Sequence, residues 1–177
     1  MNDQLSPADL RALSPDELER LGQNSLLDHL LAQAVVAHQK HAPLTIDKLP
    51  ALLGDPDCLR FPVRLVYEFG EMAQHQFAQP DVDWRDPEGV GRVLYLRPVL
   101  RDHPERVVQA VAYMIPVLNY GDVVTDAHCL SYGATLLGLM EDEFYAAICG
   151  LADLVGAAPR FPGDRAVDPS VPASCAL

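Results

Sequence analysis

Histidines in the first half of this chain occur at helical spacing, where two imidazoles can reach the same point. His38 and His41 are three residues apart, on the same helical stripe as Leu27, Leu31 and Ala34. Imidazole nitrogens are common ligands of zinc and iron, so this pair is a candidate metal site. The alternative is that both side chains lie near the end of a helix and interact with its dipole without binding a metal.

A second group of possible ligands follows about thirty residues later along the chain. Glu68, Glu71 and His75 have the spacing i, i+3, i+7, which places three potential ligands on one face of a predicted helix. Di-iron bundles use a Glu-x-x-His pair, and the spacing here is one residue longer. The alternative is a solvated helix face on which Arg64 pairs with Glu68.

A third group of polar residues interrupts the otherwise apolar second half of the chain. It includes Asn119, Asp122, His128 and Tyr132. Buried polar groups cost free energy unless they are hydrogen-bonded. Asp122 is typical of a turn, whereas capping does not explain His128, which we therefore count as a candidate ligand. The alternative is that this group belongs to the architecture of the core.

These three groups define the candidate metal site. The six predicted ligands are His38, His41, Glu68, Glu71, His75 and His128. A site built from them would suit a transition metal such as zinc, iron or manganese. No glycine-rich phosphate loop, dinucleotide fingerprint or Gly-x-Ser-x-Gly elbow occurs in the chain, so the sequence leaves open whether any reaction is catalysed.

The charge balance bears on the kind of partner. The 177 residues carry a formal net charge of −12, and positions 107–159 contain no lysine or arginine. This argues against nucleic acid and anionic membranes as partners, because both attract basic patches. The four cysteines form no Cys-x-x-Cys pair and the N-terminus is polar, so we expect reduced thiols in the cytoplasm. The apolar stretches near 107–139 contain polar breaks and predict buried helices rather than membrane spans.

The same helix-start pattern occurs five times: a cap residue or histidine, then proline, then an acid within two positions. Serine and aspartate side chains cap a first turn, proline fits the first helical position, and acids favour the positive end of the dipole. The five starts are Ser6-Pro7, Ser14-Pro15, Asp55-Pro56, Asp86-Pro87 and His103-Pro104.

These signals predict an all-α fold, a single-domain helical bundle of six to seven helices. The predicted helices are 7–12, 14–41, 45–53, 62–77, 104–120, 125–137 and 141–155. A further turn starts at Asp55, and Pro62 either kinks the helix that follows or restarts it. Residues 91–97 read either as a helix or as a short extended segment, and a lone strand would need a partner strand or a symmetry mate. We expect one domain over 1–157, followed by a flexible C-terminal tail over 158–177.

This organisation favours a protein-interaction or regulatory module that acts as a homodimer, because strong catalytic motifs are absent and apolar helices need burial. Two alternatives stay open. One is a metal-dependent helical protein or enzyme whose His/Glu site is assembled from separate helices. The other is a binder of a small apolar ligand.

Overall fold

The computed structural model describes residues 13–158, and these residues combine five α-helices with a three-stranded sheet. The helices are α1 Pro15–His41, α2 Leu49–Leu53, α3 Pro104–Tyr120, α4 Asp126–Leu137 and α5 Glu141–Ala157. The strands are β1 Val63–Tyr67, β2 Ala78–Val82 and β3 Arg92–Leu96. The predicted all-α bundle of six to seven helices is therefore wrong. The predicted helix 7–12 and all but the first residue of the predicted tail lie outside the described residues.

The sheet has the order β1–β3–β2, with β3 parallel to β1 and antiparallel to β2. The extended alternative for residues 91–97 is confirmed, because two other strands supply the partners that a lone strand lacks. The predicted helix over 62–77 is wrong. Its first part is β1, whose Val, Leu and Tyr side chains suit a half-buried pleated surface, and the rest forms the connection to β2.

Both aspartate–proline signals form turns rather than helices. The Asp55 carboxylate accepts the N–H of Asp57 at 2.9 Å, and the Asp86 carboxylate accepts the N–H of Glu88 at 3.2 Å. Aspartate makes this bond to the residue two positions on in an isolated turn as readily as at a helix start. Ser14, by contrast, is a true cap, because Glu17 completes a capping box with it.

The core is centred on α3, which packs against α4, α5 and β2. One face of α3 is fully buried, including Val107, Val111 and Ile115. The helix runs through Pro116 to Tyr120, as predicted. The α4 helix begins at the cap Thr125 and ends at a glycine in the left-handed conformation. In residues 13–158, none of the helices has the length and apolar character needed to cross a membrane.

Candidate metal centre

Three potential metal ligands from two separate elements meet at one point on the surface of the core. Within residues 13–158, a ring nitrogen of His41, a carboxylate oxygen of Asp55 and Sγ of Cys58 all lie within 4.8 Å of one another. His41 belongs to the predicted ligand set, whereas Asp55 and Cys58 do not. The side chains of His41 and Asp55 are 12% and 14% exposed, and Cys58 is buried. The group is therefore sheltered but reachable from solvent on its His41–Asp55 side.

The end of α1 holds His41 in place. His41 is the last residue of the helix, and the ammonium of Lys48 donates to the carbonyl oxygens of His41 at 3.5 Å and Ala42 at 3.4 Å. A lysine at these terminal carbonyls stabilises the negative end of the helix. Nε2 of His41 then donates to the Asp55 carboxylate at 3.0 Å.

A tight turn after α2 brings the other two ligands together. The Asp55 carbonyl oxygen accepts the N–H groups of Cys58 at 3.0 Å and Leu59 at 2.9 Å. The Asp55 carboxylate meanwhile accepts the N–H of Asp57. These bonds fold the chain back on itself, so that the Cys58 thiol faces the Asp55 carboxylate.

The electrostatics of the group follow from these bonds. The N–H of Asp57, together with His41 and Lys40, holds the pKa of Asp55 far below its usual range. Burial, aided by the Asp55 carboxylate, raises the pKa of the Cys58 thiol to about 12. At neutral pH the group thus contains one carboxylate and one protonated thiol. A metal ion must displace the thiol proton, and the ring proton of His41 must move from Nε2 to Nδ1, because Nε2 binds a metal only in its unprotonated form.

The donor set and spacing suit zinc. Imidazole, carboxylate and thiolate are all zinc ligands, and tetrahedral zinc holds its nitrogen and oxygen ligands about 3.3 Å apart. The 3.0 Å separation between His41 Nε2 and the Asp55 oxygen therefore needs to widen by a few tenths of an ångström. Three protein ligands leave one coordination position for water or another small ligand.

His38 and His128, from the predicted set, are occupied elsewhere. His38 Nδ1 donates to the carbonyl oxygen of Leu136 at 2.9 Å, which links the end of α1 to the end of α4. Nδ1 of the buried His128 accepts the N–H of Thr125 at 3.1 Å, and its Nε2 donates to the Gln23 carbonyl at 3.2 Å. Both ring nitrogens of His128 are thus hydrogen-bonded within the protein.

The predicted group of Glu68, Glu71 and His75 does not lie on a helix. All three side chains are exposed on the connection between β1 and β2. The His75 ring packs against Gly156 of α5, where a Cβ atom would come within 2.4 Å of it. None of the three belongs to a group of three close ligands within residues 13–158.

Asp55 and Cys58 were absent from the predicted ligand set because each has an ordinary explanation in the sequence. Asp55 reads as a helix cap before Pro56, and a single buried cysteine usually behaves as a small hydrophobe. The sequence did contain one indication of the site. Gly54, Asp55 and Pro56 are typical turn residues, and a four-residue turn that begins at Asp55 ends at Cys58.

An apolar groove at the start of α3 bears on the ligand-binding alternative. Its volume is about 450 Å³. It lies between the segment Pro43–Ile46 and the start of α3, and the side chains of Val108 and Leu137 also line it. Leu137 is the one residue of α4 among those that line the groove, and none comes from α5. Binding of an apolar ligand stays a prediction.

Comparisons with known proteins identified no relative of this chain. Neither a scan against family models nor searches of curated proteins and of solved structures found a match. The functional assignment therefore rests on the geometry of the chain's own residues.

Proposed function

We propose that this protein binds a zinc ion through Nε2 of His41, a carboxylate oxygen of Asp55 and Sγ of Cys58. The observation that carries the proposal is the approach of three different ligand atoms to within 4.8 Å of one another. Of the six ligands predicted from the sequence, the proposed set contains only His41. A thiolate beside an imidazole favours zinc over manganese, which prefers oxygen ligands.

The charges around the centre support a divalent cation. Once the thiol proton has left, Asp55 and Cys58 together carry two negative charges, which balance Zn²⁺. A positive charge that would repel a metal ion is the ammonium of Lys40. Its Nζ lies 3.2 Å from a carboxylate oxygen of Asp55 and 2.5 Å from one of the exposed Asp57. Lys40 can therefore stay paired with Asp57 when a metal ion takes the Asp55 carboxylate.

The ligand count supports a functional role for the ion. Structural zinc sites are closed by four protein ligands, whereas sites with three keep a position for water or a substrate. His41 and Asp55 form the partly exposed side of the group, so an external ligand would enter there. We therefore propose a zinc centre open to exchange, whose ion acts as a Lewis acid on the ligand it takes up.

Zinc affinity of the full chain tests the proposal, measured under reducing conditions by competition with a chromophoric chelator. We expect one equivalent of zinc for the unmodified protein and at least about a 100-fold loss of affinity for Cys58→Ser, since removing a ligand costs more than removing its supporting contacts. Cys129→Ser is the matched control, because Cys129 is also buried and belongs to no such group within residues 13–158. Its affinity should be unchanged.

Cobalt provides a second readout that does not depend on affinity. Co²⁺ bound to a thiolate has a charge-transfer absorption in the near ultraviolet, which we expect in the unmodified protein and in Cys129→Ser but not in Cys58→Ser. Failure of the unmodified protein to compete for zinc would overturn the proposal. Equal zinc affinity in Cys58→Ser would do the same, and would leave a hydrogen-bonded cluster without metal.

A further inference from the structure

One edge of the sheet is left without a partner strand. β1 is the end strand of the order β1–β3–β2, and no strand within residues 13–158 pairs with its outer side. Arg92 of β3 donates its N–H to the carbonyl of Pro62 at 2.8 Å, and Arg64 lies opposite Val93. Because backbone groups alternate along a strand, the N–H and C=O groups of residues 63, 65 and 67 point outward.

An apolar groove is lined in part by side chains of this edge strand. It has a volume of about 440 Å³, and it separates α2 from β1. Leu49 and Leu53 line it on the α2 side, and Val63 and Leu65 line it on the β1 side. An unpaired strand edge beside an apolar groove is a template for pairing with another chain.

We infer that a second copy of this chain pairs with β1 in antiparallel fashion, about a two-fold axis at Val66. In this register Leu65 lies opposite Tyr67 of the second copy, and the outward backbone groups of both residues bond across the interface. Val66 lies opposite Val66 of the second copy in a non-hydrogen-bonded pair. The two apolar grooves then come to the same side of one continuous six-stranded sheet.

Charge complementarity selects this register and this partner. With the axis at Val66, Arg64 lies opposite Glu68 of the second copy, and symmetry makes two such pairs. Glu68 is exposed, and Arg64 uses Nε and Nη2 to bind Asp83 at 2.8 and 2.9 Å, so its Nη1 lies outside that ion pair. An axis at Leu65 would instead place Arg64 opposite Val66 and lose both charge pairs. Opposite charges placed directly across a strand pair stabilise it.

Cross-linking at Val66 tests the register directly. Non-hydrogen-bonded antiparallel pairs have Cα atoms about 4.5 Å apart, which a disulfide can bridge. In a Cys149→Ser, Cys175→Ser background, we expect Val66→Cys to form a covalent dimer on mild oxidation. Val82→Cys, on the opposite edge strand, and Glu68→Cys, about 13 Å from its symmetry mate at the rise of an extended strand, should stay monomeric.

Sedimentation of the full chain tests the charge pairs without a cross-link. Glu68→Lys places like charges opposite each other twice, so we expect the dimer dissociation constant to rise at least about tenfold. Glu88→Lys makes the same charge change on an exposed residue of the β2–β3 connection and should leave the constant unchanged. A monomeric unmodified protein at tens of micromolar, or equal cross-linking of Val66→Cys and Val82→Cys, would overturn the inference. A chelator should leave the dimer intact, which separates this inference from the zinc proposal.

Discussion

The side chain of Asn119 clamps the backbone around Cys58. Its Nδ2 donates to the Cys58 carbonyl oxygen at 2.9 Å, and its Oδ1 accepts the N–H of Arg60 at 3.0 Å. Asn119 is buried near the C-terminus of α3. One amide thus ties the turn that holds two of the proposed zinc ligands to the central helix of the core.

Removal of this clamp should weaken both the fold and the zinc site. We expect Asn119→Ala to lower the free energy of unfolding by about 2 kcal/mol, because the Cys58 carbonyl is left buried without a donor. Zinc affinity should fall about tenfold, since the turn that carries Cys58 loses its support. Urea unfolding and chelator competition measure the two effects. Asn24→Ala, at an exposed position of α1, should change stability by less than about 0.5 kcal/mol.

The close approach of α4 to α5 depends on Gly133. A Cβ atom there would lie 2.3 Å from the ring of Phe144, which is fully buried. We expect Gly133→Ala to cost about 1–3 kcal/mol through overpacking. Gly22→Ala is the matched comparison, because no atom lies within 4 Å of its Cβ position in α1, and it should stabilise the protein by about 0.5–1 kcal/mol. Equal denaturation midpoints for the two variants would contradict this account of the packing.

The β2–β3 connection should loosen in acid through Asp86. Its carboxylate accepts the N–H groups of Gly91 at 2.5 Å, Glu88 at 3.2 Å and Val90 at 2.8 Å, and these bonds lower its pKa. A lowered pKa in the folded state stabilises the loop above the unfolded value of about 3.9, and the effect is lost as pH falls through the folded value.

The fluorescence of Trp84 in the same loop reports this transition. The indole is 75% exposed and lies two residues before Asp86. We expect constant emission from neutral pH down to about 4, the unfolded aspartate pKa, and a change below it as the pH falls through the lower pKa of the folded state. Asp86→Asn retains an acceptor oxygen without the charge, so it should remove the part of the acid-dependent change in Trp84 fluorescence that protonation of Asp86 causes. An unaltered transition in that variant would show that another carboxyl group controls the loop.

The histidines outside the cluster should be dispensable for metal binding. We expect the double variant His38→Ala, His75→Ala to keep the full zinc equivalent, because neither imidazole belongs to the group around Asp55. His38→Ala also removes the bond to the Leu136 carbonyl, so stability should fall by about 1 kcal/mol. Elemental analysis by mass spectrometry gives the metal content. Loss of zinc in this variant, with the fold intact by circular dichroism, would place the site elsewhere.

The helices that the sequence predicted best are those whose limits are set by neighbouring residues. Thr125 caps α4, Glu141–Glu143 begin α5, and α3 begins at Pro104, all near the predicted positions. The sheet was not predictable in this way. The partner of β1 is β3, about thirty residues away in the chain, and a five-residue apolar segment has no local feature that identifies its partner.

The candidate site likewise combines features that follow from neighbouring residues with contacts that only the tertiary structure shows. The sequence by itself determined that a helix ends at His41, because proline placement and helical spacing act over a few residues. It marked Asp55 as a helix start, whereas the structure has a turn there. Only the tertiary structure decided that these two residues meet at Cys58, since α1 packs against α4 and the turn after α2 is held by Asn119 of α3. Local preferences have short range, whereas ligand geometry depends on the burial of apolar surface that is distant in sequence.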